Sequence, residues 1–264
     1  MYAFDYQRPN SIEEAAEILA ADEEARPLAG GMTLIPTLKQ RLAQPTILVD
    51  LGGIEALRGV RVEGRTVTIG GMTRHADVAM NQDLLKVLPA LAGLAEGIGD
   101  PHVRNRGTIG GSIANADPAA DYPSSVLGLN ATIVTSRREI PGDAFFIDLF
   151  ETALEPGEIL TAVRYPIPER AAYVKFPNPA SRYATVGVFV AKTGKEVRVA
   201  VTGAAGSVFR IEEMEAALAR RFDPAVIDGI EISPDGLNDD VHAAADYRAH
   251  LIKVMARRAV AACR

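Results

Sequence analysis

Apolar residues recur along the chain with two different spacings. Over Ile12–Ala21 the positions Ala15, Ile18 and Leu19 fall on one side of a helix. Ser11 is placed to cap it, and Glu13 and Glu14 stand in the first turn, where negative charge complements the helix dipole. Residues 26–29 then read as a short strand, 34–42 as a second helix and 46–50 as a buried strand, together a small α/β unit. β-rich runs follow at Val60–Glu63 and 66–69, joined at Gly64 and Arg65 in a hairpin signal. Helices are predicted from 73–78 and over 84–95. Residues 97–121, dense in Gly, Pro, Asn and Asp, predict an extended loop.

Strand-like runs return at 127–135, 143–146 and 159–165, after which Pro166 and Pro168 punctuate the chain. A domain boundary is placed near Ala171. Beyond it, 173–176, 184–190 and 197–202 predict strands, and 211–221 and 242–263 predict helices. Leu251, Val254, Met255 and Val260 give the last helix an apolar stripe on a sheet. The pattern is that of an α+β protein in two parts.

Composition narrows the chemistry. With 28 Lys and Arg against 34 Asp and Glu, the net charge of −6 argues against a nucleic-acid partner. The single Cys, Cys263, rules out a disulfide framework, and also a thiolate metal site or iron–sulfur cluster held by this chain alone. The four histidines, His75, His102, His242 and His250, lack the spacing or neighbouring Cys of a metal site. No run approaches the roughly 18 apolar residues of a membrane span, and no basic-then-apolar leader opens the chain. The expectation is a cytoplasmic chain without metal, membrane span or nucleic acid.

Glycine changes this bland picture. Four Gly-Gly pairs, at 30–31, 52–53, 70–71 and 110–111, all fall in the first 111 residues. Around the first, Leu28, Ala29, Gly30, Gly31, Met32, Thr33, Leu34 and Ile35 run from a strand into a helix start. Such a turn gathers backbone N–H groups into a nest for phosphate, or is simply a tight turn with no ligand. Around the last, Arg104, Asn105, Arg106, Gly107, Thr108, Ile109, Gly110, Gly111 and Ser112 lead on to Asp117 and Asp121. Two nests can embrace the two phosphates of one dinucleotide. Asp121 can accept hydrogen bonds from ribose hydroxyls or a flavin ring, and Arg104 and Arg106 either bind phosphate or fix the loop. Neither stretch is a Gly-x-Gly-x-x-Gly or a Gly-Lys-Ser/Thr signature, which disfavours the usual dinucleotide and nucleotide-hydrolase folds.

The two glycine stretches, in this order and about 80 residues apart, resemble the FAD-binding fold of the p-cresol-methylhydroxylase (PCMH) type. More closely they resemble the FAD (medium) subunit of the molybdenum hydroxylases, the carbon monoxide dehydrogenase and xanthine dehydrogenase group. The likeness extends to Phe4, Asp5, Tyr6, Pro9 and Ser11 at the start, and to Pro156, Gly157, Glu158, Ile159 and Leu160. It continues through Tyr173, Val174, Lys175 and Phe176 to Tyr247–Leu251 near the end, and so covers essentially the whole chain.

The resemblance implies a two-part PCMH-type domain over 1–170, with subdomains of about 1–54 and 55–170, and a smaller sheet-plus-helix domain over 171–264. It implies non-covalent FAD, its pyrophosphate wrapped by residues 28–35 and met from the other side by Thr108, Ile109, Gly110, Gly111 and Ser112. Asp117 and Asp121 join that set, as do Ile98 near the adenine part, Leu160 through its backbone, and Lys175. The stretch Phe176, Pro177, Asn178, Pro179 departs from the family's more basic sequence there. No catalytic side chain is implied. Electrons would pass from 2Fe-2S clusters on a small iron–sulfur subunit, through the flavin, to an external acceptor. Substrate would be oxidised at molybdopterin on a large subunit, the whole forming a dimer of heterotrimers. The alternatives are a self-sufficient flavin reductase on the same fold, like the enolpyruvyl-sugar reductase, and a non-catalytic assembly protein.

Overall fold

The computed structural model describes residues 1–263. The chain opens with a parallel three-stranded sheet in which Ile47–Asp50 lies between Asp5–Gln7 and Arg26–Leu28. The helix Ile12–Ala21 covers it as the spacing predicts, with the Ser11 hydroxyl accepting the Glu14 N–H. Ala15, Leu19, Val49, Leu51, Ile54 and Leu57 make a small core of their own there.

An antiparallel five-stranded sheet follows, ordered Val60–Glu63, Thr66–Gly70, Leu160–Pro166, Thr132–Thr135 and Glu139–Pro141. In the sequence, residues 71–131, which hold six α-helices, separate Thr66–Gly70 from the sheet's next strand, Thr132–Thr135, and this excursion carries the second glycine stretch. The third sheet, Arg170–Pro177, Ala184–Thr193, Glu196–Thr202 and Phe209–Arg210, is antiparallel and covered on both sides. Val186, Val188 and Val190 pack against the final helix, Ala245–Ala262, while Phe189 and Ala191 join the core of the middle sheet. Double coverage explains why eight successive residues from Ala184 to Ala191 are buried, with no polar alternation. The architecture is α+β: a two-part first portion and a smaller sheet-plus-helix portion.

Several local expectations are corrected. The loop expected over 97–121 contains two helices, Pro101–Arg104 and Ile109–Asn115. Asp100 caps the first, with Pro101 at its opening position, and Thr108 caps the second. Both caps were visible as residue types, but the glycines and prolines around them dominate the local pattern. The strand expected over 127–135 begins only at Thr132, because the helix Tyr122–Gly128 runs through its start. Every residue of that helix is buried, so its apolar run has no helical stripe to read. The helix expected over 84–95 is two, Gln82–Val87 and Pro89–Glu96. Pro89 pushes Leu88 out of helical backbone geometry. Residues 142–144 form a 3-10 turn where a strand was expected.

Candidate functional site

The parallel sheet and the middle sheet meet at the two glycine stretches. The strand Arg26–Leu28 runs into the first, and a Cβ on Gly30 would overlap the Arg106 carbonyl. Gly111 stands across from Ala29. The second stretch is held in turn by the turn at Gly71. The Gly110 N–H donates to the Gly71 carbonyl at 2.9 Å, and a Cβ on Gly110 would lie 2.6 Å from that oxygen. Gly71 rests on the Leu160 and Thr161 backbone, its N–H donating to the Thr161 carbonyl at 2.7 Å. Residues 28–35, 108–112 and Leu160 are therefore neighbours, although residues 28 and 160 are 132 apart in the chain.

The two stretches differ in what they offer a ligand. The N–H groups of Gly30, Gly31, Met32 and Thr33 donate to no group among the described residues. A row of four free main-chain donors beside a helix start is a cradle for an anion. In the second stretch most donors are spent within the chain. Ile109 N–H goes to the Thr73 carbonyl, Gly111 N–H to the Thr108 hydroxyl and Ser112 N–H to the Thr108 carbonyl. That side of the site is thus a rigid wall with the Thr108 and Ser112 hydroxyls, and it does not form the second open nest the sequence implies. Of the two arginines, Arg104 is tied to the carbonyls of Ile98 and Gly99 at 3.0 and 3.1 Å and fixes the loop. Arg106 is exposed and makes no ion pair among the described residues, and its main-chain carbonyl lies against Gly30.

Asp121 and Lys175 lie at the seam with the C-terminal sheet. Asp121 is buried, its Oδ2 accepting from Lys175 Nζ at 3.0 Å and its Oδ1 from the Tyr173 hydroxyl. Burial pushes the Asp121 carboxyl above its ordinary value, against the pull of Lys175 and Tyr173. Asp117, half-buried, accepts the Ala119 N–H at 2.9 Å; burial raises its carboxyl too. It lines a cavity of about 330 Å³ with Tyr183, Asn178 and His242. Ile98 is half-buried beside Gly97, whose carbonyl accepts from Lys175 at 2.9 Å.

With this geometry in place, similarity to known proteins is decisive. Residues 2–168 match the family described as FAD binding domain in molybdopterin dehydrogenase. The chain belongs to that family. It is 37% identical to the carbon monoxide dehydrogenase medium chain of Afipia carboxidovorans, over 98% of this chain and 96% of that one. It is 33% identical to the nicotine 6-hydroxylase medium subunit of Paenarthrobacter nicotinovorans, over 98% and 96%. The solved carbon monoxide dehydrogenase from Oligotropha carboxidovorans superimposes with a TM-score of 0.89 at 35% identity, covering 98% of this chain and 97% of that one. The chain is thus a FAD-binding medium subunit of the molybdenum-hydroxylase family, an oxidoreductase subunit of PCMH-type fold, and its relatives are medium subunits of multi-subunit complexes.

The cradle fits the family's cofactor. FAD carries a pyrophosphate, and four N–H groups unpaired among the described residues supply the donors such a diphosphate requires. Sequence reasoning missed Tyr173, whose hydroxyl holds Asp121. The signal was present: Tyr173 and Lys175 are two apart on one strand and so share a face. No helix among the described residues is long and apolar enough to cross a membrane.

Proposed function

We propose that this medium subunit carries FAD, bound non-covalently, and passes electrons from the 2Fe-2S clusters of a small iron–sulfur subunit to an external acceptor. Substrate oxidation then falls to molybdopterin on a large subunit, and the three chains pair as a dimer of heterotrimers. The observation that carries this reading is the row of unpaired N–H groups from Gly30 to Thr33, set against the Thr108–Ser112 wall. Bound FAD supplies a centre that takes electrons singly and releases them in pairs.

The chain's own residues do the rest. Leu28 to Ile35 wrap the pyrophosphate, Gly30 letting the main chain approach closely. Thr108, Ile109, Gly110, Gly111 and Ser112 close the site from the other side, with hydroxyls where most main-chain donors are spent. Ile98 packs near the adenine part, Leu160 meets the cofactor through its backbone, and Asp117 and Asp121 accept its hydrogen bonds. Lys175 supports Asp121. We assign the FAD-binding portion to 1–170 and the C-terminal domain to 171–264. The family's match ending at residue 168 supports that division.

Titrating the purified chain with FAD tests the reading. One equivalent is expected to bind and to be released into solution by acid precipitation. A chain that takes up no FAD overturns it. In the assembled complex, substrate is expected to bleach the flavin bands, whereas the isolated chain gives no bleaching with substrate.

A further inference from the structure

Lys175 occupies an unusual position for a cofactor ligand. Its ammonium group has three protons, and the chain itself supplies three acceptors: the Gly97 carbonyl at 2.9 Å, Asp121 Oδ2 at 3.0 Å and the Arg182 carbonyl at 2.8 Å. The side chains of Lys175 and Asp121 are only 11% and 5% exposed. Tyr173, on the same face of the strand Arg170–Pro177, takes the other carboxylate oxygen. Its ring stacks on Phe189 with centroids 6.2 Å apart, which fixes the direction of the phenol.

We propose that Lys175 and Tyr173 are positioning residues. They hold the Asp121 carboxylate in place and act on bound flavin nucleotide through that carboxylate, without touching the nucleotide themselves. This rests on the FAD reading given above, and it replaces a direct Lys175 contact with an indirect one. Lys175 has no proton left to give. An acid buried this deeply, without its ammonium partner, favours the neutral form. The groups facing Asp121 are Tyr173 and Lys175 from the strand, Tyr122 on its own helix, and Tyr183 with Asp117 at the adjoining cavity. Burial and the neighbouring carboxylate raise the Tyr173 phenol well above its ordinary value, so it stays a donor.

A double-mutant cycle in the full chain separates the two modes of action. The dissociation constant for FAD is measured for Lys175→Met, Asp121→Asn and the pair together. Lys175→Met alone is expected to weaken FAD binding by about tenfold. If Lys175 acts through Asp121, the double variant binds no more weakly than Asp121→Asn. Losses that multiply show a direct contact and overturn the proposal.

Lys175→Met is also expected to move the pH dependence of FAD affinity to higher pH than in the native chain, and Lys175→Arg to move it back. A profile in Lys175→Met that superimposes on the native one overturns the clamp. Should Lys175→Met fail to fold, Tyr173→Phe takes its place, its loss vanishing in the Asp121→Asn background. If even the native chain binds no FAD, the FAD reading has failed and the clamp is read alone. The carboxyl carbon of Asp121, followed by NMR in the FAD-free chain, should then take up its proton at higher pH in Lys175→Met than in the native chain. Uptake at the same pH overturns the clamp.

Discussion

At Gly30 the main chain passes so close to the Arg106 carbonyl that no side chain fits, which is what brings the two glycine stretches together. Gly30→Ala must displace main-chain atoms, so it is expected to cost about 1–3 kcal/mol of stability and to abolish measurable FAD uptake. A thermal melt and a flavin titration on the same sample check both. His75 shows the same economy at a polar position. Its main-chain N–H donates to the Gly107 carbonyl at 3.0 Å and its ring packs 5.4 Å from Tyr122, with Nδ1 unpartnered among the described residues. Burial, helped by the Arg104 charge, lowers its pKa to about 4. The folded chain thus resists a proton that the unfolded chain accepts near pH 6.5. Stability is fully present above about pH 6.5 and falls as pH drops towards about 4, by about 3 kcal/mol from this group. Denaturant midpoints from neutral to acid pH should show that loss in the native chain and a shallower one in His75→Phe.

Elements are set by their ends. The helix Ile109–Asn115 is seven residues long and starts with two glycines after Ile109, a weak beginning on propensity. It forms because the Thr108 hydroxyl accepts the Gly111 N–H at 3.1 Å and Gly110 is docked on Gly71. Thr108→Val removes the cap while keeping the shape. About 1 kcal/mol of stability should be lost and recovered in Thr108→Ser, as read from denaturation midpoints. The pair Tyr173 and Lys175 likewise works as an element, since the period of two along the strand aims both at one carboxylate.

For the whole molecule the C-terminal sheet is part of the site. Besides the Asp121 clamp, Ala184 and Gly203 donate main-chain N–H groups to the Ala119 and Pro118 carbonyls. Arg198 donates to the Leu127 carbonyl at 2.7 Å and pairs with Asp143, which also receives Arg210 at 3.1 Å. Asp143→Ala leaves the buried Arg198 guanidinium short of its partner across the seam. It should cost about 1–3 kcal/mol. If the two portions unfold together, calorimetry will show one transition moved down; a new, separate transition for the C-terminal portion would mean that the seam is not what couples them.

The sequence by itself determined the α+β class, most regular elements and the order of the two glycine stretches, because local spacing and glycine content are properties of neighbouring residues. It also carried the family, through motifs that match along nearly the whole chain. It did not show that 97–121 contains two short helices, nor that the first glycine stretch keeps its donors free while most of the second's are spent. Those depend on where carbonyls fall in the folded chain: Gly71 and Thr73 take the Gly110 and Ile109 donors of the second stretch, Thr108 takes two more, and no described residue accepts from those of the first. The role of Tyr173 was equally hidden, since 52 residues separate it from Asp121. Only the folded chain brings a strand of one portion against a helix start of the other. Hydrogen-bond accounting across that seam decides which polar groups remain for a ligand.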